Sequence, residues 1–171
     1  IKQKNLGPNA ARNNAEKKIL PNYKYIIFID SDDTFFDNNT VDKMFNEIEK
    51  APKNIGAVCF TSLDGYTKKN YTYLKISPMK VSYLDSIKGS GFSGEFISIQ
   101  RKEVLKYSEW PNNISGYEAI RHWEINKHVD YLLVSNPGRI YYRDRKENLT
   151  SPESTVKRSF KMAIAINELF K

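Results

Sequence analysis

A short apolar run that ends in a cluster of carboxylates decides the fold: Tyr25-Ile26-Ile27-Phe28-Ile29-Asp30-Ser31-Asp32-Asp33. Its first part is almost continuously apolar, which is typical of a strand buried on both faces of a sheet. Open α/β sheets bind their ligands beyond the carboxyl ends of the strands. The run therefore predicts an α/β domain whose functional site lies at the tip of this strand, among the three aspartates.

Helices and strands are predicted to alternate along the rest of the chain, as they do in α/β domains. In residues 40–50 the apolar positions recur at helical spacing and form one stripe: Val41, Met44, Phe45 and Ile48. Helices are further expected at 9–18, at 116–126 and from Pro152 onward, and strands at 55–61, 95–100, 131–134 and 139–142, with a strand or hairpin at 66–76. No repeat, low-complexity tract or flexible linker divides the chain, which predicts one domain.

The composition excludes several classes of protein. The chain has 171 residues, of which 40% are hydrophobic and 13% aromatic, and this apolar content argues against intrinsic disorder. The single cysteine, Cys59, excludes a disulfide scaffold and is expected in the core. No apolar stretch approaches the roughly 20 residues that span a bilayer, and residues 1–5 lack a signal-peptide pattern. We therefore expect a cytoplasmic protein.

The net charge of +7 reflects an excess of basic side chains at both ends of the chain. Residues 1–29 carry six basic side chains against one acidic, and residues 137–171 carry eight against four. No RNP1-like, zinc-knuckle or helix-turn-helix pattern is present, so we do not expect nucleic acid as a partner. The charge fits a phosphorylated substrate or an anionic membrane surface.

The carboxylate cluster at the strand tip predicts a metal site. Three aspartates within four residues repel one another unless a cation lies between them. Hard oxygen ligands of this kind select Mg²⁺ or Mn²⁺, and either ion can bridge to a diphosphate. The alternative is a polar turn between strand and helix in which Asp33 caps the helix.

Two enzyme families place carboxylates at this point. Residues 28–35, Phe-Ile-Asp-Ser-Asp-Asp-Thr-Phe, resemble the D-x-D-x-T segment of haloacid dehalogenase-like phosphatases. This resemblance implies Asp30 as nucleophile and Asp32 as acid/base. That family also needs a lysine and a second acidic pair after a later strand, whereas Asp130 stands alone in this sequence.

A second resemblance covers nearly the whole chain. Residues 5–13, Asn-Leu-Gly-Pro-Asn-Ala-Ala-Arg-Asn, followed by a short helix and by the strand that ends in Asp30-Ser31-Asp32, resemble the N-x-G-x-x-x-A-R-N and D-x-D motifs of family 2 glycosyltransferases. The two motifs stand in the order and separation of that family. The resemblance implies the GT-A fold, a Rossmann-like mixed α/β sheet flanked by helices that binds a nucleotide sugar.

The resemblance also implies roles on the donor side of the site. Asp32 becomes the ligand of Mn²⁺ or Mg²⁺, and Asp30 lies near the ribose or the metal. Arg12 supplies a fixed cation beside the nucleotide; the alternative, without the resemblance, is an ordinary solvated helix residue. Gly7 shapes the turn into the helix, consistent with a close approach of the backbone to the nucleotide.

Family members carry their catalytic base in a G-E-D-like segment at the start of a helix. The segment Gly116-Tyr117-Glu118 occupies that place here, with Tyr117 where an acidic residue is common, and the resemblance implies Glu118 as the base. Glu124 and Asp130 remain competing candidates. His122 lies four residues after Glu118 and is expected to pack or to form a hydrogen bond.

Two later segments resemble parts of the family that contact sugar and diphosphate. Gly94 and Glu95 belong to a Gly-rich segment like the one that contacts the transferred sugar, although an ordinary turn explains it equally well. Residues 137–151 resemble a late strand and a loop that closes over the diphosphate. Many members carry a histidine in that loop, whereas this sequence has Arg143 and Arg145, which are suited to bind phosphate. Arg139 is expected to be structural.

The resemblance predicts how the chain is organised. We expect residues 1–171 to be one catalytic domain that lacks the family's first βαβ unit at its N-terminus, so that its sheet exposes an apolar edge. Residues 1–61 would be the remainder of the nucleotide-binding half, residues 62–151 the acceptor-binding half, and residues 152–171 a C-terminal helix.

The expected function is that of an inverting, metal-dependent glycosyltransferase of hexosyltransferase type. Its donor is expected to be a UDP-sugar and its acceptor a hydroxyl of a glycan or of a lipid-linked molecule, in bacterial cell-surface polysaccharide synthesis. Such acceptors favour a cytoplasmic location or a peripheral one at the inner face of the membrane. The alternatives are the phosphatase that uses Asp30 and Asp32, and a non-catalytic module that binds a nucleotide sugar.

Overall fold

The computed structural model describes residues 3–19, 22–111 and 118–142. Helices in these residues are α1 (Pro8–Glu16), α2 (Thr40–Lys50), α3 (Tyr83–Lys88) and α4 (Glu118–Asn126), with one 3₁₀ helix at Lys102–Tyr107. Strands are β1 (Tyr25–Ile27), β2 (Thr34–Phe35), β3 (Ile55–Asp64), β4 (Tyr73–Leu74), β5 (Met79–Val81), β6 (Phe92–Ser93), β7 (Ile97–Arg101) and β8 (Asp130–Tyr141). The expected final helix from Pro152 lies outside the described residues.

Six of these strands form one mixed sheet in the order β1-β7-β3-β8-β2, with β5 also paired to β8. The central strands β3 and β8 run parallel, whereas the other pairs in the sheet are antiparallel. Strands β4 and β6 form a separate two-stranded sheet. The predicted mixed α/β sheet flanked by helices is confirmed.

Strand β3 is the centre of the core, because its first eight residues are buried on both faces of the sheet. On one face Val58 and Phe60 pack with Met44 and Ile48 of α2. On the other face Cys59 packs with Ile125 of α4 and with side chains of the 3₁₀ helix and β8. The expected core position of Cys59 is confirmed.

Strand β1 differs from the prediction that it is buried on both faces. Among the described strands it pairs with β7 alone and lies at one end of the strand order, so its residues are only half-buried. The predicted stripe on α2 is also too wide. Met44 and Ile48 are fully buried, whereas Val41 and Phe45 are exposed, because the sheet covers only a narrow face of this helix.

A bulge in β8 joins the two strands that the sequence predicts on either side of Pro137. Phe60 of β3 lies opposite Val134, whereas Ser62 lies opposite Arg139, so β8 advances by five residues while β3 advances by two. The bulge therefore adds three residues to β8. Because side chains alternate between the two faces of a strand, an odd number of added residues reverses which residues of β8 face α2. Arg139 thereby lies on the same face as Ser62, to which it donates a hydrogen bond.

None of the helices in the described segments is long and apolar enough to cross a membrane.

Candidate functional site

The segment after β1 is a turn that separates its three aspartates. The Asp33 N–H donates to the Asp30 carbonyl at 3.1 Å, which closes a four-residue turn. The side chain of Asp30 is 50% exposed and that of Asp32 is half-buried, whereas the side chain of Asp33 is only 1% exposed. The turn therefore directs one carboxylate into the protein and leaves the other two accessible.

Both carboxylate oxygens of Asp33 accept hydrogen bonds within the protein. Its Oδ2 accepts from Nη1 of Arg139 at 2.9 Å, and its Oδ1 accepts from the Tyr142 N–H at 3.2 Å. Arg139 also donates to Ser62 Oγ at 3.1 Å. Burial raises the pKa of Asp33, while the charge of Arg139 acts in the opposite direction. Asp33 is thus neither a cap, since α2 begins only at Thr40, nor a third open carboxylate beside Asp30 and Asp32.

Arg12 on α1 connects the strand tip to the start of α4. Its Nη2 donates to Asp30 Oδ1 at 2.7 Å and its Nη1 donates to Glu118 Oε1 at 3.0 Å. Only 16% of the Arg12 side chain is exposed, against 50% for Asp30 and 38% for Glu118. The structure therefore brings together three predicted site residues from three separate parts of the chain, and Arg12 is not a solvated helix residue.

Helix α1 is held in place by its polar face. The side chain of Asn13 donates to the carbonyl of Trp110 and accepts from its N–H, both at 2.8 Å, and Asn9 donates to the Pro111 carbonyl at 2.9 Å. Gly7 precedes the helix with φ +90°, a conformation that favours glycine, and Pro8 begins the helix. A Cβ built on Gly7 meets nothing within 4 Å, so the backbone before α1 borders open space.

A buried polar cluster that the sequence analysis did not predict lies behind Arg12. It consists of Trp110, Glu16 on α1 and Arg121 on α4. Glu16 accepts from Trp110 Nε1 at 2.6 Å and from Arg121 Nη2 at 2.9 Å, through the same oxygen. Burial raises the pKa of Glu16 and lowers the pKa of Arg121, and the charge of each acts against that effect on the other. A lone acid in a basic segment is the one sequence signal that marks Glu16.

His122 also lies in this region. Its ring meets the rings of Trp110 and Tyr131 edge-on. Burial, together with the charge of Arg121, lowers the pKa of His122 to about 4. The imidazole is therefore neutral at neutral pH and packs among aromatic rings, as the sequence suggested.

Gly94 and Glu95 lie on the other side of the 30–33 turn. Gly94 has φ +92°, and a Cβ at this position would collide with the carbonyl oxygen of Tyr71. Glu95 is exposed, and its Oε2 lies 3.9 Å from Nη2 of Arg139. Glu95 is therefore linked to the carboxylate turn through Arg139, whereas Gly94 packs against the backbone of Tyr71 and Thr72.

The competing candidates for the base make other contacts. Glu124 accepts at 2.7 Å from Lys127, the residue that follows α4, and Asp130 at the start of β8 lies 3.4 Å from Lys80. Of the three carboxylates, Glu118 is the one whose described contacts join it to Arg12. Arg143 and Arg145, expected to bind phosphate, lie outside the described residues.

The donor set at the strand tip fits a divalent ion that keeps other ligands. No group of three or more His, Cys, Asp or Glu side chains that could hold a metal is present within the described segments. Mg²⁺ usually takes one or two carboxylates and completes its shell with phosphate oxygens and water. Asp30 and Asp32, both accessible and two residues apart, are a donor pair of this kind.

A family model described as "Glycosyl transferase family 2" matches residues 1–121, which is well over half of the chain and includes α1, the carboxylate turn and Glu118. No match was found among curated proteins.

Proposed function

The chain belongs to glycosyl transferase family 2, and on this premise we propose that it moves a hexose from a UDP-sugar to a hydroxyl group with inversion at the anomeric carbon. The acceptor in this proposal is a glycan or a lipid-linked molecule, in bacterial cell-surface polysaccharide synthesis. Family membership favours this function over that of a D-x-D-x-T phosphatase.

One observation carries the proposal: Arg12 contacts both Asp30 and Glu118. A sugar transferase must neutralise the departing diphosphate and must deprotonate the acceptor. In this proposal the two tasks belong to the two carboxylates that the terminal nitrogens of one guanidinium contact. The accessible carboxylates of Asp30 and Glu118 leave room for substrates on either side.

Glu118 acts as the general base in the proposed reaction. It takes the proton of the acceptor hydroxyl while the hydroxyl oxygen forms a bond to the anomeric carbon of the donor. The bond between that carbon and the diphosphate breaks, and its electron pair leaves with the nucleoside diphosphate. Mn²⁺ or Mg²⁺, when bound by Asp32 and Asp30, supplies positive charge to the leaving diphosphate.

The remaining predicted residues complete the site in this proposal. Arg12 adds a second positive charge on the donor side, and Arg143 binds the diphosphate. The turn at Gly7 leaves space for the nucleotide, and Gly94 and Glu95 contact the transferred sugar. A lipid-linked acceptor and the basic residues of the chain favour a cytoplasmic protein with peripheral contact at the inner face of the membrane.

The experiment that tests the proposal is an assay of UDP release with the full chain, Mn²⁺ and a panel of nucleotide sugars and acceptors. We expect Asp32→Ala to abolish turnover. Glu118→Gln should keep UDP binding but lower turnover by about 10²- to 10⁴-fold, which is the usual contribution of a general base. Glu124→Gln is the matched control, because it removes the same charge from the same helix.

Three outcomes would contradict the proposal. Turnover that survives Glu118→Gln would exclude Glu118 as the base. Phosphate released from a generic phosphomonoester, and lost in Asp30→Asn, would favour the phosphatase. Binding of nucleotide sugars without any product would favour a binding module.

A further inference from the structure

Trp110 lies at the centre of the contacts behind the proposed site. The guanidinium carbon of Arg12 is 4.7 Å from the centre of its indole ring, and that of Arg121 is 4.3 Å away. The rings of Phe28 and His122 meet the indole edge-on, at centroid distances of 5.2 and 6.2 Å. The indole is thus in contact with an arginine of the proposed site and with a second arginine that is fully buried.

The position of Trp110 is fixed at both ends of the residue. Asn13 forms two hydrogen bonds to its backbone, and Glu16 accepts from its indole N–H. Asn13, Glu16 and Arg12 all belong to α1, so the helix that carries Arg12 also holds the ring against which Arg12 lies. Arg12, the indole of Trp110 and the α1 residues that bind Trp110 therefore form one unit.

Arg121 adds a buried ion pair to this unit. Its side chain is 0% exposed, and its charge is balanced by Glu16 at 2.9 Å, with Gln100 accepting at 3.3 Å. An exchange of either charged partner would leave an unpaired charge in the interior. The two charges of the cluster are therefore paired with each other, and the indole donates to the same carboxylate.

Salt bridges to accessible carboxylates hold an arginine weakly. An exposed pair gains little in water, and a long side chain loses rotamer freedom when it forms one. An indole adds a second attraction, since its π face draws the guanidinium and fixes its plane. Arg12 donates to two partly exposed carboxylates and to Asn9 Oδ1 at 3.3 Å, and the ring adds a contact to its guanidinium.

We infer that Trp110 is a positioning residue, which holds the guanidinium of Arg12 between Asp30 and Glu118 before substrate arrives. This inference rests on the proposed function, because it assigns to the ring the geometry on which donor binding and deprotonation of the acceptor depend. Trp110 itself touches neither substrate. Its effect on turnover passes through Arg12.

A double-mutant cycle with the full chain tests the inference, with kcat/KM for UDP release as the readout. Trp110→Phe keeps a ring but removes the indole N–H and weakens the attraction for a cation, and we expect about a threefold loss. Trp110→Leu removes the ring, and we expect about a thirtyfold loss. In the Arg12→Ala background each factor should fall below about twofold.

Trp123→Phe is the matched control, since it makes the same substitution at the other tryptophan of the chain. We expect it to leave kcat/KM unchanged. Where Arg12→Ala leaves too little turnover to measure, the affinity for UDP, determined by calorimetry, replaces kcat/KM as the readout in the same set of proteins. Thermal melting of every variant shows whether it is folded, and Trp110→Phe keeps the test available if Trp110→Leu does not fold.

Equal losses in the Arg12 and Arg12→Ala backgrounds would overturn the inference, because a merely structural role of Trp110 acts independently of Arg12. The same holds if Trp110→Phe and Trp110→Leu are both as active as the unaltered protein. Absence of both turnover and UDP binding in the unaltered protein is a different result. It would contradict the proposed function, and the inference would fall with it.

Discussion

The two ends of the turn at residues 30–33 carry the same kind of ion pair in opposite surroundings. At one end Asp30 pairs with Arg12, which also contacts Glu118, and all three side chains are partly accessible. At the other end Asp33 pairs with Arg139, and both side chains are buried. Arg12 donates to two carboxylates, at 2.7 and 3.0 Å, whereas Arg139 donates to Asp33 and lies 3.9 Å from Glu95. The second oxygen of Asp33 accepts from the Tyr142 N–H.

Burial, rather than residue type, decides what a carboxylate of this turn can do. Asp33 has both oxygens occupied by partners from β8 and the residue that follows it, so it fastens the turn to the sheet. Asp30 has an accessible side chain whose described partner is a partly accessible cation. A ligand can therefore compete for Asp30, while Asp33 keeps the turn in place during the exchange.

The largest effect is expected from breaking the buried pair. Asp33→Asn leaves the charge of Arg139 in the interior without its partner, and we expect the free energy of unfolding to fall by about 3–5 kcal/mol. Asp30→Asn is the matched control at the other end of the turn, with an expected loss of less than about 1 kcal/mol. Urea denaturation of both variants measures the difference, and equal losses would show that the two pairs are not distinct.

The second prediction is that the stability of the protein depends on pH through His122, which lies beside Trp110 behind the Arg12–Asp30 pair. The pKa of His122 is about 4 in the folded protein, below its ordinary value of 6.5, so the unfolded chain binds the proton first as the pH falls. Stability from this group is complete above pH 6.5 and is lost progressively toward pH 4. The loss should reach about 3 kcal/mol.

The measurement is a series of denaturation curves between these pH values for the unaltered protein and for His122→Asn. The variant has no imidazole to protonate, so its stability should fall less steeply over the same range. Parallel curves for the two proteins would mean that His122 takes up its proton as easily in the folded state as in the unfolded one.

The smallest of the three expected effects is the influence of salt on the stability that each ion pair contributes. Mobile ions screen accessible charges but reach buried ones poorly, and the screening length falls to about 3 Å at about 1 M salt. The stability loss caused by Asp30→Asn should therefore shrink at high salt, by a few tenths of a kcal/mol. The loss caused by Asp33→Asn should stay the same. A salt dependence of similar size in both variants would contradict the contrast.

Much of the fold and part of the site could be predicted from the sequence, because their signals are local. The apolar run before Asp30 and the N-x-G-x-x-x-A-R-N segment are continuous in the chain, and they were enough to identify the family and the mixed sheet. The burial of Met44 and Ile48 follows from helical spacing in the same way. Patterns of this kind depend on neighbours in sequence.

The rest depended on partners far apart in the chain. Nothing near Asp33 indicates that Arg139, 106 residues later, would take it out of the open cluster. Trp110 and Arg121 likewise meet Glu16 only after α1 and α4 pack on the same side of the sheet. The position of β1 at one end of the order of the described strands could not be predicted from its apolar run either, since that run does not indicate how many neighbours the strand has.

The bulge in β8 makes the turn depend on the length of the chain as well as on its side chains. Ser135 and Asn136 are exposed, so exchanges of their side chains should be tolerated. Loss of a single residue there would return Arg139 to the opposite face of the sheet and strip Asp33 of its partner. Insertions and deletions at this point are therefore expected to be acceptable only in even steps, a constraint on the gene that no survey of substitutions would detect.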